Sequence, residues 1–228
     1  MKKPICAIIF DFDGVVADSE PLYESAEKRL FQHYGIRVPD EDWKDFKGVS
    51  PQAFFTTVQN RYNIPASVDT LRREGEACLL AEFKGRLGYV PGYEDFFTLI
   101  RPRFRVALVT SCARQVLDWI FTWTPIVNHF DVIITADDVP RHKPDPLPFS
   151  ECCRRLNITP DEALVIEDSI HGVNAARAAG LRTIGFTRTL SPGDLAAADY
   201  LARDYTEIET LIRRITSDGR GSLIPIEM

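Results

Sequence analysis

The stretch Ile8-Ile9-Phe10-Asp11-Phe12-Asp13-Gly14-Val15 places two carboxylates, one residue apart, at the end of an apolar run that begins at Ile5. A short apolar run closed by a glycine turn reads as a buried strand. Two like charges at its tip repel each other, so they need cationic partners brought in from elsewhere in the chain.

Working outward, the text becomes regular from about residue 104. Arg105-Val106-Ala107-Leu108-Val109, Asp131-Val132-Ile133-Ile134, Ala163-Leu164-Val165-Ile166 and Arg182-Thr183-Ile184-Gly185-Phe186 alternate with helical stretches near 113–122, 146–156, 170–179 and 206–216. Strands that are apolar on both faces and separated by helices predict a parallel sheet covered on both sides. Between the first strand and the second, residues 19 to about 85 carry only helical pattern. Leu22, Ala26, Leu30 and Tyr34 share one face ahead of Gly35, and further helix is expected near 40–46, 51–62 and 68–84. One helix suffices for a βαβ crossover, so this excess reads as an inserted helical cap. The expected organisation is an α/β core over residues 1–18 and 86–228, with a helical cap over 19–85. Residues 217–222, Ser-Asp-Gly-Arg-Gly-Ser, read as a flexible tail.

Composition narrows the class. The 228 residues are 45% apolar and 26% charged, the profile of a chain with a packed core. The basic, apolar N-terminus is too short for a signal peptide and is cut off by Asp11. A net charge of -6 without a Lys/Arg block disfavours nucleic-acid and anionic-membrane partners and leaves a small molecule as the expected ligand. Cys6, Cys78, Cys112, Cys152 and Cys153 form an odd, scattered set without zinc spacing, which suits a reducing cytoplasm. Cys112 is expected to be an inert buried thiol. His33, His129, His142 and His171 lack metal spacing and read as structural or surface residues.

In a doubly wound sheet the ligand site lies outside the carboxyl ends of the strands. There the chain places Asp11 and Asp13, then Thr110-Ser111, a loop with Lys143-Pro144-Asp145-Pro146, and Glu167-Asp168-Ser169. Four carboxylates facing one lysine call for a divalent cation, and oxygen donors without His or Cys suit Mg²⁺. With the Thr110 hydroxyl and the backbone N–H groups of Gly14 and Ser111, such a site is built to hold a phosphoryl group. A spare carboxylate there can attack phosphorus to give an aspartyl phosphate.

Asp11-Phe12-Asp13-Gly14-Val15, Val109-Thr110-Ser111, Lys143-Pro144-Asp145-Pro146 and Glu167-Asp168-Ser169 followed by Gly172 resemble the four ordered motifs of the haloacid dehalogenase superfamily. The resemblance spans roughly residues 5–215. It is strongest to the branch with a helical cap that includes beta-phosphoglucomutase and phosphoglycolate-type phosphatases, and it implies a Rossmann-like core. It makes Asp11 the nucleophile and Asp13 the acid/base, whose main-chain carbonyl also meets the metal. Thr110 and Lys143 would hold the phosphoryl group, Asp168 would ligate Mg²⁺, and Glu167 would be a ligand or the neighbour of one. An acid at Asp13 argues against dehalogenation.

In the cap, Lys47-Gly48-Val49-Ser50 resembles the mutase's substrate-facing segment, but Pro51 stands where the mutase has an arginine and Tyr23 where it has a histidine. Losing that guanidinium removes a bidentate phosphate grip. The expected function is therefore a cytoplasmic Mg²⁺-dependent phosphatase acting on a small phosphate monoester, as a monomer or homodimer. Lys47, Tyr23, Phe54 and Glu20 are candidate substrate-facing residues. The alternatives are a sugar phosphomutase and a catalytically silent binding module.

Overall fold

The structure, a computed structural model, describes residues 3–46, 49 and 51–217. Six strands form one sheet in the order β3-β2-β1-β4-β5-β6, and every pairing is parallel. They are β1 (Ala7–Phe10), β2 (Arg105–Val109), β3 (Val132–Ile134), β4 (Ala163–Glu167), β5 (Arg182–Phe186) and β6 (Tyr200–Ala202). β1 lies in the interior of the sheet, with Ile9 beside Ala107 on one side and Val165 on the other.

The two-residue period of a strand sends alternate side chains to opposite faces. Ile8, Phe10, Val106, Leu108, Leu164 and Ile166 pack on one face with α4 (Tyr93–Ile100), α5 (Arg114–Trp123) and α8 (Tyr205–Ser217). Ala7, Ile9, Ala107, Val109, Ala163 and Val165 pack on the other with α6 (Leu147–Leu156) and α7 (Ile170–Ala178). Both faces are therefore dry, which explains why the strands read as unbroken apolar runs rather than as alternating ones.

Three helices lie between β1 and α4: α1 (Glu20–His33), α2 (Pro51–Tyr62) and α3 (Val68–Phe83). Leu30, Phe31, Phe46, Phe54, Phe55, Val58, Ile64 and Leu71 form a separate apolar cluster among them. At the other end of α1 and α3, Leu22, Ala26, Leu79 and Phe83 join the sheet's own core. Residues 42–46 form a 3₁₀ turn rather than the α-helix expected there.

Other differences are local. α4 and β6 have no counterpart in the sequence reading. β3 starts one residue late because the Asp131 carboxylate accepts the Val106 N–H at 2.8 Å and pairs with Arg101, so this side chain does the work of a strand position. Ser217, expected in the tail, is the last residue of α8, and the rest of that tail lies outside the described residues. Among the described residues, no helix is long and apolar enough to cross a membrane.

Candidate active site

The Asp11 N–H donates to the Ile166 carbonyl at 3.0 Å, extending the β1–β4 ladder by one residue and fixing Asp11 at the sheet's carboxyl edge. Lys143 arrives from the loop before α6. Its ammonium donates to Asp11 Oδ1 at 2.6 Å, to Glu167 Oε1 at 2.6 Å and to the Val109 carbonyl at 2.9 Å. All three of its protons are thus engaged with groups from β1, β2 and β4, and the ammonium also lies 5.3 Å from the Phe149 ring centroid. The lysine is buried, as are Asp11, Glu167 and Asp168.

Glu167 ends β4 with no exposed surface. Its second oxygen accepts the Ser169 N–H at 2.8 Å and the Ser169 hydroxyl at 2.9 Å, and Ser169 caps α7 by accepting the Gly172 N–H at 3.0 Å. Both carboxylate oxygens of Glu167 are therefore committed to protein partners. One oxygen each from Asp11, Glu167 and Asp168 lies within 4.8 Å of the other two, a spacing that a metal ion would bridge. The Asp13 carboxylate is not part of this trio. Its Oδ1 accepts the Ser19 hydroxyl at 2.6 Å.

The electrostatics follow from the count, since one ammonium cannot balance three buried carboxylates. Burial, with the charges of Glu167 and Asp13 behind it, pushes Asp11 up to about 8 against the pull of Lys143. Burial and the charges of Glu167 and Asp11 push Asp168 well above the carboxylate range. Asp13 rises to about 7, mainly by burial, with the Ser19 hydrogen bond opposing. For Lys143 burial works against the charge, but the Asp11 and Glu167 carboxylates win and hold it above the usual lysine value. A hard cation would relieve the excess of negative charge, and the all-oxygen donor set fits Mg²⁺.

Two glycines make the packing possible. Gly14 has a left-handed φ of +72°, and a Cβ there would sit 2.1 Å from Asp168 Oδ2. Its N–H, expected at the phosphoryl group, instead donates to the Ala17 carbonyl at 2.9 Å within the turn. A Cβ on Gly172 would lie 1.6 Å from Glu167 Oε1.

A cleft of about 210 Å³ opens from these groups toward α1 and α3. Asp11, Asp13, Lys143, Asp168, Ser111, Tyr23, Glu20 and Phe54 all line it, so most of the expected residues meet in one place. Thr110 is buried, and its hydroxyl oxygen accepts the Cys112 N–H at 2.9 Å. The Tyr23 hydroxyl donates to Cys112 Sγ at 3.7 Å and its ring packs edge-on against Phe83. Burial and the Asp13 charge raise the Cys112 thiol well above its ordinary value, consistent with an unreactive cysteine. Lys47, Gly48 and Ser50 lie outside the described residues.

Sequence reasoning missed several residues. Thr189, from the segment after β5, donates to Asp168 Oδ2 at 2.5 Å and lines the cleft. Ser19 precedes α1 where a helix cap is expected, yet it makes no side-chain cap and serves Asp13 instead. Glu24, Glu27 and Glu76 also face the cleft. For Glu24 and Glu27 the signal lay in the spacing of α1's acidic residues, which a search for apolar periodicity passes over, and Glu76 of α3 had no such marker.

Comparison with known proteins supplies the context for this geometry. A family model described as haloacid dehalogenase-like hydrolase matches residues 8–186. The chain is 34% identical over 202 residues to validoxylamine A 7'-phosphate phosphatase from Streptomyces hygroscopicus subsp. limoneus, covering 88% of this chain and 94% of the relative. It is 30% identical to phosphorylated carbohydrates phosphatase from Thermotoga maritima, covering 82% of this chain and 88% of that one. Among solved structures, CbbY from Rhodobacter sphaeroides in complex with phosphate superposes with a TM-score of 0.76 at 26% identity, covering 90% of this chain and 96% of CbbY.

Proposed function

Because the chain belongs to the haloacid dehalogenase-like hydrolase family, we propose that it is a Mg²⁺-dependent phosphatase that hydrolyses a small phosphorylated carbohydrate through a phosphate ester on Asp11. The observation that carries this reading is the buried Asp11–Lys143–Glu167 ion-pair set beside Asp168 and Asp13, at the closed end of a cleft. The relatives named as phosphatases of validoxylamine A 7'-phosphate and of phosphorylated carbohydrates support the substrate class.

In this reading a carboxylate oxygen of Asp11 attacks phosphorus. The bond from phosphorus to the ester oxygen breaks, and Asp13 donates its proton to the departing alkoxide. A rise to about 7 keeps a usable fraction of Asp13 protonated near neutral pH, as a general acid requires. Asp13 then takes a proton from water, which attacks the phosphorus of the aspartyl phosphate, and inorganic phosphate departs as Asp11 is regenerated. Ser19 holds Asp13 in place between the two steps. Lys143 supplies a fixed positive charge beside the transferring group, and Glu167, with both oxygens taken, holds the lysine. Thr110 accepts the Cys112 N–H and so keeps its own proton to donate to a phosphoryl oxygen. Ser111, Tyr23, Glu20 and Lys47 are assigned to the substrate. Mg²⁺ bound by Asp11, Asp168 and the Asp13 carbonyl would neutralise charge on the phosphoryl oxygens.

We assign residues 1–18 and 86–228 to the catalytic core and 19–85 to a helical cap, a division supported by the separate apolar cluster in α1–α3. Five free cysteines, three of them buried, support a reducing cytoplasm. The test is release of phosphate from para-nitrophenyl phosphate and from hexose phosphates, with Mg²⁺ and with EDTA. Asp11→Asn is expected to abolish turnover. Full activity in that variant rules out the covalent step, and conversion of a hexose 1-phosphate to its 6-phosphate in place of free phosphate identifies a mutase.

A further inference from the structure

α3 carries Gly75 near its middle, where a glycine weakens a helix relative to alanine. Leu71, Gly75 and Leu79 are spaced four residues apart and so share one helical face. Leu71 belongs to the cap's apolar cluster and Leu79 to the sheet's, which puts Gly75 between the two. A Cβ at Gly75 would lie 2.7 Å from Phe55 Cζ, 2.8 Å from Phe55 Cε1 and 3.4 Å from Leu30 Cδ2. The missing methyl is what lets the tip of the Phe55 ring come this close to α3. Gly75, Phe55, Leu30, Phe54 and Leu79 all line the cleft that opens from Asp11 and Lys143. Phe54 meets Phe55 edge-on with ring centroids 4.8 Å apart, and both rings are held in the buried cap cluster. With packed cap on one side of the Phe55 ring and α3 on another, the open space beside it is the cleft.

Building on the phosphatase reading, we propose that the Gly75–Phe55 contact sets the size of the leaving group: by drawing the ring onto α3 it keeps open an apolar-walled compartment for a ring-sized alcohol. The preferred substrates are then phosphate esters of hexoses or similar cyclic polyols, and not of two- or three-carbon alcohols. A sugar ring has C–H faces that can be buried against Phe54, Phe55 and Leu79, and removing apolar surface from water is favourable in proportion to its area. A three-carbon alcohol reaches Asp13 but leaves those walls in contact with water. A methyl added at position 75 occupies the place of the Phe55 ring tip. A close-packed cap does not absorb that volume, so the ring turns into the compartment and shortens it.

The experiment measures kcat/KM for the full-length Mg²⁺-loaded protein on glucose 6-phosphate and glycerol 3-phosphate, two primary esters that differ in the size of the alcohol. The parent protein is expected to favour the hexose ester by about tenfold or more, the lower end of what one methylene-sized contact in an apolar pocket contributes to discrimination. Gly75→Ala should lower that ratio by about tenfold. Adding Phe55→Leu to it deletes the clashing Cζ and Cε1 and should restore most of the ratio. Phe55→Trp, which enlarges the ring with Gly75 in place, should also lower the ratio, and it carries the test if Gly75→Ala does not fold. The ratio is internal to each variant, so a general loss of folded protein does not alter it. Equal kcat/KM on the two esters in the parent, a ratio that Gly75→Ala and Phe55→Trp leave unchanged, or a double variant no better than Gly75→Ala overturns the inference and leaves the phosphatase reading standing. Absence of phosphate release from every ester, para-nitrophenyl phosphate included, brings down both.

Discussion

Gly172→Ala should destabilise this protein, although it replaces a glycine inside a helix. In an ordinary helix interior the change stabilises by about 0.5–1 kcal/mol, because alanine loses less backbone freedom on folding. Here the new Cβ would lie 1.6 Å from Glu167 Oε1, 1.9 Å from its Cδ and 2.4 Å from Oε2, whereas ordinary contact begins at 3.4 Å. The glutamate is fully buried and cannot swing into solvent. Moving it by roughly 2 Å separates it from Lys143 and from both Ser169 donors. Breaking one arm of a buried ion pair costs about 3–5 kcal/mol, so after the helix gain a net loss of about 2–4 kcal/mol is expected. Urea denaturation of the Mg²⁺-free protein near pH 7 gives the difference. Repeating the substitution in a Glu167→Ala background supplies the control: with the carboxylate gone the methyl has room, and Gly172→Ala should be neutral or mildly stabilising. A Gly172→Ala protein as stable as its parent, or a double variant showing no coupling, refutes this account.

Asp13→Ala should slow turnover by about a hundredfold or more, the scale of general acid/base catalysis, while inorganic phosphate still binds by calorimetry; an unchanged kcat contradicts the role. Thr189→Val removes the hydroxyl that steadies Asp168. It should weaken Mg²⁺ binding about tenfold by titration calorimetry, the lower end of what such supporting groups contribute, and intact affinity would show that Thr189 only fills space. Stability should also depend on pH in a defined direction. Asp11 rises from 3.8 to about 8 and Asp13 from 3.8 to about 7, so the folded state holds these protons more tightly than the unfolded chain. Their contribution is complete below about pH 4 and is lost as pH climbs toward about 8, so metal-free urea midpoints should fall over that range and saturating Mg²⁺ should flatten the decline. Midpoints that rise with pH in EDTA contradict the assignment.

Most of the sheet was legible because β1, β2, β4 and β5 are buried on both faces and, with the shorter edge strand β3, appear as continuous apolar runs. β6 was not, being only three residues long with Leu201 exposed. α4 escaped notice because it is two turns long and starts from Gly92, a left-handed residue that reads as a loop. In the site, Asp11, Thr110, Lys143 and Asp168 could be found since each follows an apolar run or sits in a proline-stiffened loop. Thr189 has no such marker, because only the approach of the chain after β5 brings it to Asp168. Gly14 was expected to offer its N–H to the phosphoryl group, and the structure shows a different use for it. Its value lies in the missing Cβ beside Asp168, and its N–H is spent on the turn. The clash that dictates Gly172 is likewise invisible until the strand end and the helix start are seen together.

The interior position of β1 also bears on how this chain is made. Its two neighbours, β2 and β4, begin at Arg105 and Ala163, so β1 leaves the ribosome long before it can be fully paired. At about 5–20 residues per second, the interval between Phe10 and Glu167 is roughly eight to thirty seconds. Throughout that interval the edge of Ala7-Ile8-Ile9-Phe10 that pairs with β4 lacks its partner, and until residue 109 is made both edges do. A chain stalled before residue 163 therefore keeps an apolar strand with an unpaired edge, the kind of surface that favours aggregation.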